Sequence, residues 1–328
     1  MPILTRIAAL GAAKQTAKGT PNNTPTYTLG LLRGAVYGGQ VEQEPEELAW
    51  SEVVPPYANR KAITPGTSFS TRAWARSLGL WLQACLGNRS TTGTGPYTHT
   101  FTPYTAPPAT PEYFTLLAKL DSYTARLADA RLSRLSLSWE ANDPLEVELE
   151  WLALQMTEAQ TWTAANDETA QPKFHPVGGT FQLDVASGTP AAAQVTGGQI
   201  QVDKGLQARF VSGSILPADI YDAAGFQIDV TLKVLTADLS EWRKALTGSG
   251  SGTSPASSPT YGSFNVSFTV PGSTETLTLK GDRVPFLVDF PEADPGGGPA
   301  ELQVQGRAVK ATTGDTFKAT LSNGVASY

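Results

Sequence analysis

The sequence predicts a mainly β protein: two tandem β-sandwich or half-barrel units, each with one flanking helix. Three observations predict it. Residues 113–154 run an apolar strand, a polar turn and then two alternating strands, with Leu135, Leu137 and Trp139 answered by Leu145, Val147, Leu149 and Trp151 across the Asn142-Asp143-Pro144 turn. Residues 180–235 repeat that order through Phe181, Leu183 and Val185, then Ile200, Val202, Leu206 and Phe210, then Phe226, Ile228, Val230, Leu232 and Val234. The second copy carries a longer loop, Ser212 to Gly225. Helical spacing occurs in only two places, one in each half.

Residues 1–25 read as a short arm with Ile3, Leu4, Ile7 and Leu10, closed by the turn Gly19-Thr20-Pro21. Tyr27 to Leu32 reads as a strand. Val41 to Arg60 starts acidic, with Glu42, Glu44, Glu46, Glu47 and Glu52, and its prolines make it a loop or an edge element. Ser70 or Thr71 can cap a helix near 71–86, whose apolar positions are Trp74, Leu78, Trp81, Leu82 and Cys85 and which Gly87 ends. A second helix near 238–247 has Asp238 and Glu241 at its start, Leu239, Trp242 and Leu246 as its apolar stripe, and Gly248 as its stop. Each helix is expected to bury a tryptophan. The helix precedes the strand set in the first half and follows it in the second, as a shifted boundary or strand exchange would produce. Polar Thr157 to Pro176 reads as the inter-domain linker, dividing the chain into domains 1–160 and 161–328. Gly/Ser-rich Gly248 to Pro259 and the glycines of 291–299 read as mobile surface loops. Further short strands follow, marked by Phe264, Val266 and Phe268, by Leu277 and Leu279, and by Leu302 and Val304.

Composition narrows the function. At 328 residues and 40% hydrophobic, with a mean hydropathy of −0.18, the chain reads as soluble and globular. No run approaches the ~20 continuous apolar residues of a membrane helix, and Met-Pro-Ile-Leu-Thr-Arg lacks a secretory pattern, so folding in a cytoplasm is expected. A net charge of −6 argues against a protein built to grip nucleic acid. Scarce Met, Asn and Cys with many prolines are consistent with a heat-stable protein. The single cysteine, Cys85, reads as a buried thiol, and His99 and His175 stand apart from any nucleophile or metal spacing. No catalytic set, metal site or cofactor is expected, and the chain reads as a non-enzyme.

The acidic ladder Glu146, Glu148 and Glu150 is the main candidate site. Alternate residues of a strand share a face, so these carboxylates line up opposite Leu145, Val147, Leu149 and Trp151. Like charges side by side are mildly unfavourable, which makes the ladder a candidate wall against something that must not adhere. The corresponding face of the second unit carries Gln227, Asp229, Thr231 and Lys233. Arg126, Arg131 and Arg134 form a basic cluster that could pair with the acidic Val41–Glu52 segment of a neighbouring subunit.

The arm ending in Gly19-Thr20-Pro21, the Ser70–Gly87 helix, the run Tyr97-Thr98-His99-Thr100-Phe101-Thr102-Pro103 and the strand Glu112-Tyr113-Phe114-Thr115-Leu116 resemble siphophage tail tube proteins. The resemblance implies tail-tube-like domains assembling into stacked rings around a DNA channel, in a virion tail put together in the host cytoplasm. The usual ring has six one-domain subunits, so two units per chain imply a pseudo-hexameric ring of three. Implied partners are further copies of the chain, a tape-measure protein and passing duplex DNA in the lumen, and tail terminator and tail-tip proteins, with no membrane. On this reading Glu146, Glu148, Glu150 and Asp229 face the lumen, and residues 1–25, 41–60 and 248–259 order against the adjacent ring. The alternative is a β-sandwich adhesion, carbohydrate-binding or baseplate protein, which would cluster exposed aromatics on one face.

Overall fold

The computed structural model describes residues 8–35, 37–45, 58–186, 189–236, 238–291, 300–312 and 314–328. In chain order the first half holds β1 (Ala8–Lys14), β2 (Tyr27–Gly30), β3 (Arg33–Gly34), β4 (Gly39–Pro45), β5 (Ala58–Arg72), α1 (Leu78–Leu86), β6 (Gly87–Thr92), β7 (Tyr97–Pro103), β8 (Phe114–Leu120), β9 (Tyr123–Glu140), β10 (Glu146–Leu152) and β11 (Gln155–Glu158). The second half holds β12 (Phe181–Asp184), β13 (Ala191–Ala192), β14 (Gln194–Asp203), β15 (Leu206–Arg209), β16 (Asp219–Asp222), β17 (Gln227–Leu235), α2 (Ser240–Thr247), β18 (Gly262–Thr269), β19 (Thr276–Val284), β20 (Phe286–Val288), β21 (Glu301–Arg307) and β22 (Lys318–Asn323). The fold is mainly β, as expected, and neither described helix is long and apolar enough to cross a membrane.

Two antiparallel sheets share the work. The larger has the order β2–β1–β8–β9–β14–β17–β21–β20, with β10 placed between β9 and β5, and β3 and β4 on β5. The smaller has the order β13–β12–β18–β19–β22–β7–β6. Both contain strands from either side of residue 160: β9 pairs with β14 in one, β7 with β22 in the other. Alternation explains the layering. Leu135, Leu137 and Trp139 of β9 and Ile228, Val230 and Leu232 of β17 point inward and meet Phe264, Val266, Phe268, Leu277 and Leu279 of the smaller sheet in one core. Trp139 lies edge-to-face with Phe268 at 5.0 Å, and Trp151 does the same with Trp81 of α1 at 5.9 Å.

β9 is the axis of the larger sheet. Its first part, Tyr123–Ala130, pairs with β8 and β11, while its second, Arg131–Glu140, pairs with β10 and β14. Between them Asp129 adopts a left-handed backbone, φ 52°, and is 1% exposed. That conformation is unfavourable for most L-residues and least so for Asn and Asp. The Asp129 carboxylate accepts hydrogen bonds from the Gly19 amide at 2.6 Å and from the Gln155 side chain at 3.3 Å. The Gln15 amide, oriented to satisfy both its ends, donates to the same carboxylate and accepts from the Asp129 N–H.

Several expectations are revised. The first helix begins at Leu78, not near 71, because Ser70 and Thr71 are strand residues opposite Glu148 and Val147. Trp74 therefore belongs to the turn before α1. The helix near 238–247 is present as α2, with Asp238 accepting from the Ser240 amide at 2.8 Å, but none of its residues is fully buried and Trp242 is half-buried. Residues 8–14 of the expected arm form β1, where Leu10 and Ala12 are fully buried between β2 and β8. Thr157 to Pro176 includes β11 and a strap tied to the body, with Glu168 N–H bonded to Thr28 and Phe174 N–H bonded to Ala73. The sequence repeat holds for one strand pair only: β14–β17 matches β9–β10, but β12, the counterpart of β8, lies in the smaller sheet. A different repetition takes its place. β5–α1–β6–β7 and β17–α2–β18–β19 each run from a large-sheet strand through a helix into a hairpin of the smaller sheet.

Glu168 is fully buried at the start of α1, and its Oε2 accepts the Ser77 N–H at 3.3 Å. Burial pushes its carboxyl up to about 7, against the Ser77 hydrogen bonds and the charge of Arg76, which favour the anion. A folded-state value above the unfolded one means that native protein holds the proton more tightly. The stabilisation is complete below about pH 4.5 and is lost as pH rises towards 7. Two outcomes follow. In denaturant melts, Asp129→Ala should cost about 2–3 kcal/mol, more than Asp129→Asn, which keeps the left-handed preference. Glu168→Gln should flatten the stability loss between pH 5 and 8, and should leave the variant more stable than the parent at pH 8 and not at pH 4.5.

Candidate channel face and hairpin clasp

The outer face of the larger sheet carries the predicted ladder. β10 lies between β5 and β9, so Glu146, Glu148 and Glu150 stand opposite Arg72, Ser70 and Ser68 on one side and Ser138, Ser136 and Arg134 on the other. The face continues across Gln199, Gln201 and Asp203 of β14, Gln227, Asp229 and Thr231 of β17, and Gln305 and Arg307 of β21. All four sequence-predicted acidic residues thus share one sheet face.

The carboxylates do not stand bare. Arg33 lies 3.1 Å from Glu146 and 3.7 Å from Glu148, Arg134 bridges Glu150 at 3.1 Å and Asp203 at 3.0 Å, and Arg307 holds Asp229 at 2.7 Å. Lys233 likewise takes Glu140 at 2.8 Å. The face is a mosaic of neighbouring opposite charges among serine and glutamine, not a uniform acidic wall. Sequence reading missed these partners because Arg33, Asp203 and Arg307 come from strands remote in the chain.

The three arginines of β9 part company. Arg126 donates to Asn23 Oδ1 at 3.0 Å, and Arg134 belongs to the outer face. Arg131 turns inward, 3% exposed, donating to the Ile220 carbonyl at 2.7 Å and pairing with Asp222 at 3.0 Å. It is therefore committed within the chain. Glu42 and Glu44 lie exposed on β4, where Glu44 pairs with Lys61; Glu46, Glu47 and Glu52 fall outside the described residues.

Arg131 belongs to a clasp that sequence reading also missed. The loop from Ser212 onward is the tip of a hairpin, β15–β16, and Asp222 at its base accepts the Tyr104 hydroxyl as well as Arg131. Burial alone would raise the Asp222 carboxyl, but the Tyr104 hydroxyl and the Arg131 guanidinium hold it below the ordinary range. Beside it Lys204 is buried, donating to the Ala84 carbonyl at 3.1 Å with its ammonium over the Tyr104 ring, and burial pulls it down to about 8. Lys18 and Asp219 add a half-exposed pair at 2.9 Å. The only signal for this in the sequence was Arg131 standing where an apolar residue should.

His99 is fully buried between the Val325 carbonyl, 2.7 Å from Nε2, and the Thr91 hydroxyl, 2.9 Å from Nδ1. Cys85 is buried, and burial pushes its thiol up to about 12. Among the described residues no three His, Cys, Asp or Glu side chains come together to hold a metal ion.

A family model for phage tail tube proteins matches residues 5–309. The chain belongs to that family. A search of curated proteins finds no match. Membership makes this a structural component of a virion tail that assembles with itself and with other tail proteins into a tube. The two kinds of ion pair should separate on mutation. Arg131→Ala, which strands a buried Asp222, should cost about 3–5 kcal/mol in chemical denaturation, whereas Arg134→Ala should cost less than about 1 kcal/mol.

Proposed function

We propose that three chains close a ring in which each chain fills two positions, and that the rings stack into a tube through which DNA leaves for the host. In this reading the outer face of the larger sheet lines the lumen, with Glu146, Glu148, Glu150 and Asp229 facing first the tape-measure protein and then the passing duplex. Terminator and tip proteins close the two ends. Glu42, Glu44, Glu46 and Glu47 contact neighbouring copies, as does the segment 248–259. The observation that carries the reading is the family match over nearly the whole chain, joined to a sheet face that is polar along its breadth. Trp74, Trp81, Trp139 and Trp151 are buried, which favours this reading over a glycan-stacking module.

The mechanism is one of non-adhesion. DNA binds proteins when free cationic groups neutralise its phosphates and release its condensed counterions to solvent. On this face Arg33, Arg134 and Arg307 are held by carboxylates, and Arg72 donates to the Pro144 carbonyl, so each guanidinium is already engaged. The glutamates therefore act twice: they repel the duplex and they occupy the arginines. Replacing Glu146, Glu148 and Glu150 together with Gln should leave tubes intact in negative-stain images. It should raise their salt-sensitive retention of duplex DNA by roughly tenfold and slow ejection. Unchanged retention and delivery would remove these residues from the lumen.

A further inference from the structure

A strand at the edge of a sheet offers its unpaired backbone groups to any other chain. β2 ends the larger sheet, on the far side of β1 from β8. Its outward groups are nevertheless taken, because residues 165–169 of the strap between β11 and β12 run alongside it. The Thr28 N–H donates to the Asn166 carbonyl at 3.3 Å and the Thr28 carbonyl accepts from the Glu168 N–H at 2.9 Å, which makes a one-residue parallel bridge. The Thr28 hydroxyl donates to the Ala165 carbonyl at 2.9 Å and accepts from the Ala165 N–H at 3.0 Å. The Asn166 side chain donates to the Thr26 carbonyl at 2.8 Å, and the Thr71 hydroxyl donates to the Gly30 carbonyl at 2.8 Å.

The strap bends sharply to reach Thr28. Asn166 adopts a left-handed backbone, φ 46°, which Asn tolerates better than most residues. Asp167 accepts from the N–H of Thr169 at 2.9 Å and from its hydroxyl at 2.8 Å, closing an Asx turn. Asn166, Asp167, Thr169 and Ala170 are exposed, so apolar burial does little to hold this turn. Glu168 is the exception: its side chain is buried at the start of α1, where Oε2 accepts the Ser77 N–H and Oε1 has no hydrogen-bond partner among the described residues. The groups that face it are Arg76 from the turn before α1, Asp167 on the strap, Tyr27 on β2 and Tyr328 near the end of the chain. A buried carboxylate with a bare oxygen is costly, and a neutral carboxyl is much less so. That burial raises the Glu168 carboxyl to about 7 agrees with this placement. Lifting the strap returns the anion to water, and it uncovers Thr28 in the same movement because the Glu168 N–H is one of the bonds that close the edge.

We propose that the strap is a proton-operated guard on the β2 edge: it closes the edge while Glu168 is neutral and lifts from Thr28 when Glu168 ionises. On a chain that assembles with itself, such a guard keeps the edge from pairing while it is closed. This local opening is distinct from the global stability loss assigned to Glu168 above, and it is independent of the number of chains in a ring. The test is hydrogen exchange of the intact protein read by mass spectrometry between pH 5 and 8, with rates corrected for the intrinsic pH dependence of exchange. In the parent, peptides covering 26–30 and 165–169 should lose protection together, by roughly tenfold or more, while peptides from β9 and β17 keep theirs. Glu168→Gln should stay flat over the same range. Thr28→Val, which removes the hydroxyl bonds and keeps the carboxyl, should exchange faster at pH 5 and retain the parent's pH dependence. Constant protection in the parent, or an equal loss in Glu168→Gln, would overturn the proton linkage. Loss at 165–169 with 26–30 still protected would overturn the guard, and equal loss in β9 and β17 would make the event global unfolding and overturn both.

Discussion

The larger sheet depends on one residue's backbone. Asp129 sits in the left-handed region in the middle of an 18-residue strand, and the partners of β9 change there, from β8 and β11 to β10 and β14. A regular strand of that length would keep one set of neighbours and one plane. The break lets the first part of β9 carry β8, β1 and β2 while the second carries the path through β14 to β20. The cost of the conformation, of order 1–2 kcal/mol, is offset by hydrogen bonds from Gly19 and Gln155 to the same carboxylate. Because Gly19 follows β1, the bend also fixes where the N-terminal strand enters the sheet.

The charges divide by burial into two kinds of work. The exposed pairs of the outer face contribute little to stability, since solvent screens them and long side chains lose freedom in making them. Their value lies in what they withhold from a ligand: a guanidinium already facing a carboxylate is a poor phosphate site. The Arg131–Asp222 pair is the opposite case. Its side chains are 3% and 9% exposed, so each is costly without the other, and the pair specifies where the β15–β16 hairpin stands more than it adds net stability. That hairpin carries Val211 and Ile215, so the clasp sets the position of an exposed apolar tip.

Period-two alternation made the second part of β9 and β10, β17, β18 and β19 legible, because each has one buried and one wetter face. It failed where that asymmetry is missing. β1 reads Ala-Ala-Leu-Gly-Ala-Ala-Lys and has buried residues on both faces, so nothing alternates and the segment resembles an arm. Trp74 and Leu78 share helical spacing, which predicts a helix from near 71, although the ladder with β10 claims Ser70 through Arg72 for a strand. The ladder glutamates were legible from spacing alone; their arginine partners were not, since pairing between β3, β10, β9 and β21 is settled by tertiary register. Glu168 was hidden for a similar reason. In a polar stretch nothing marks one carboxylate as the buried partner of a helix start 91 residues away.

The repeated order of strand, helix and hairpin turns the difference between the two helices into evidence. α1 is buried along its whole length. The Tyr328 ring packs so closely on Gly79 that any side chain there would collide with it, and Lys204 reaches in to the Ala84 carbonyl. Those covers come from the end of the chain and from the base of the β15–β16 hairpin, both outside the unit that contains α1. α2 occupies the matching place in its own unit and has no such cover among the described residues, so Leu246 and Phe290 are exposed and Trp242 is half-buried beside Phe290. The chain supplies a lid for its first helix from sequence-distant parts of itself.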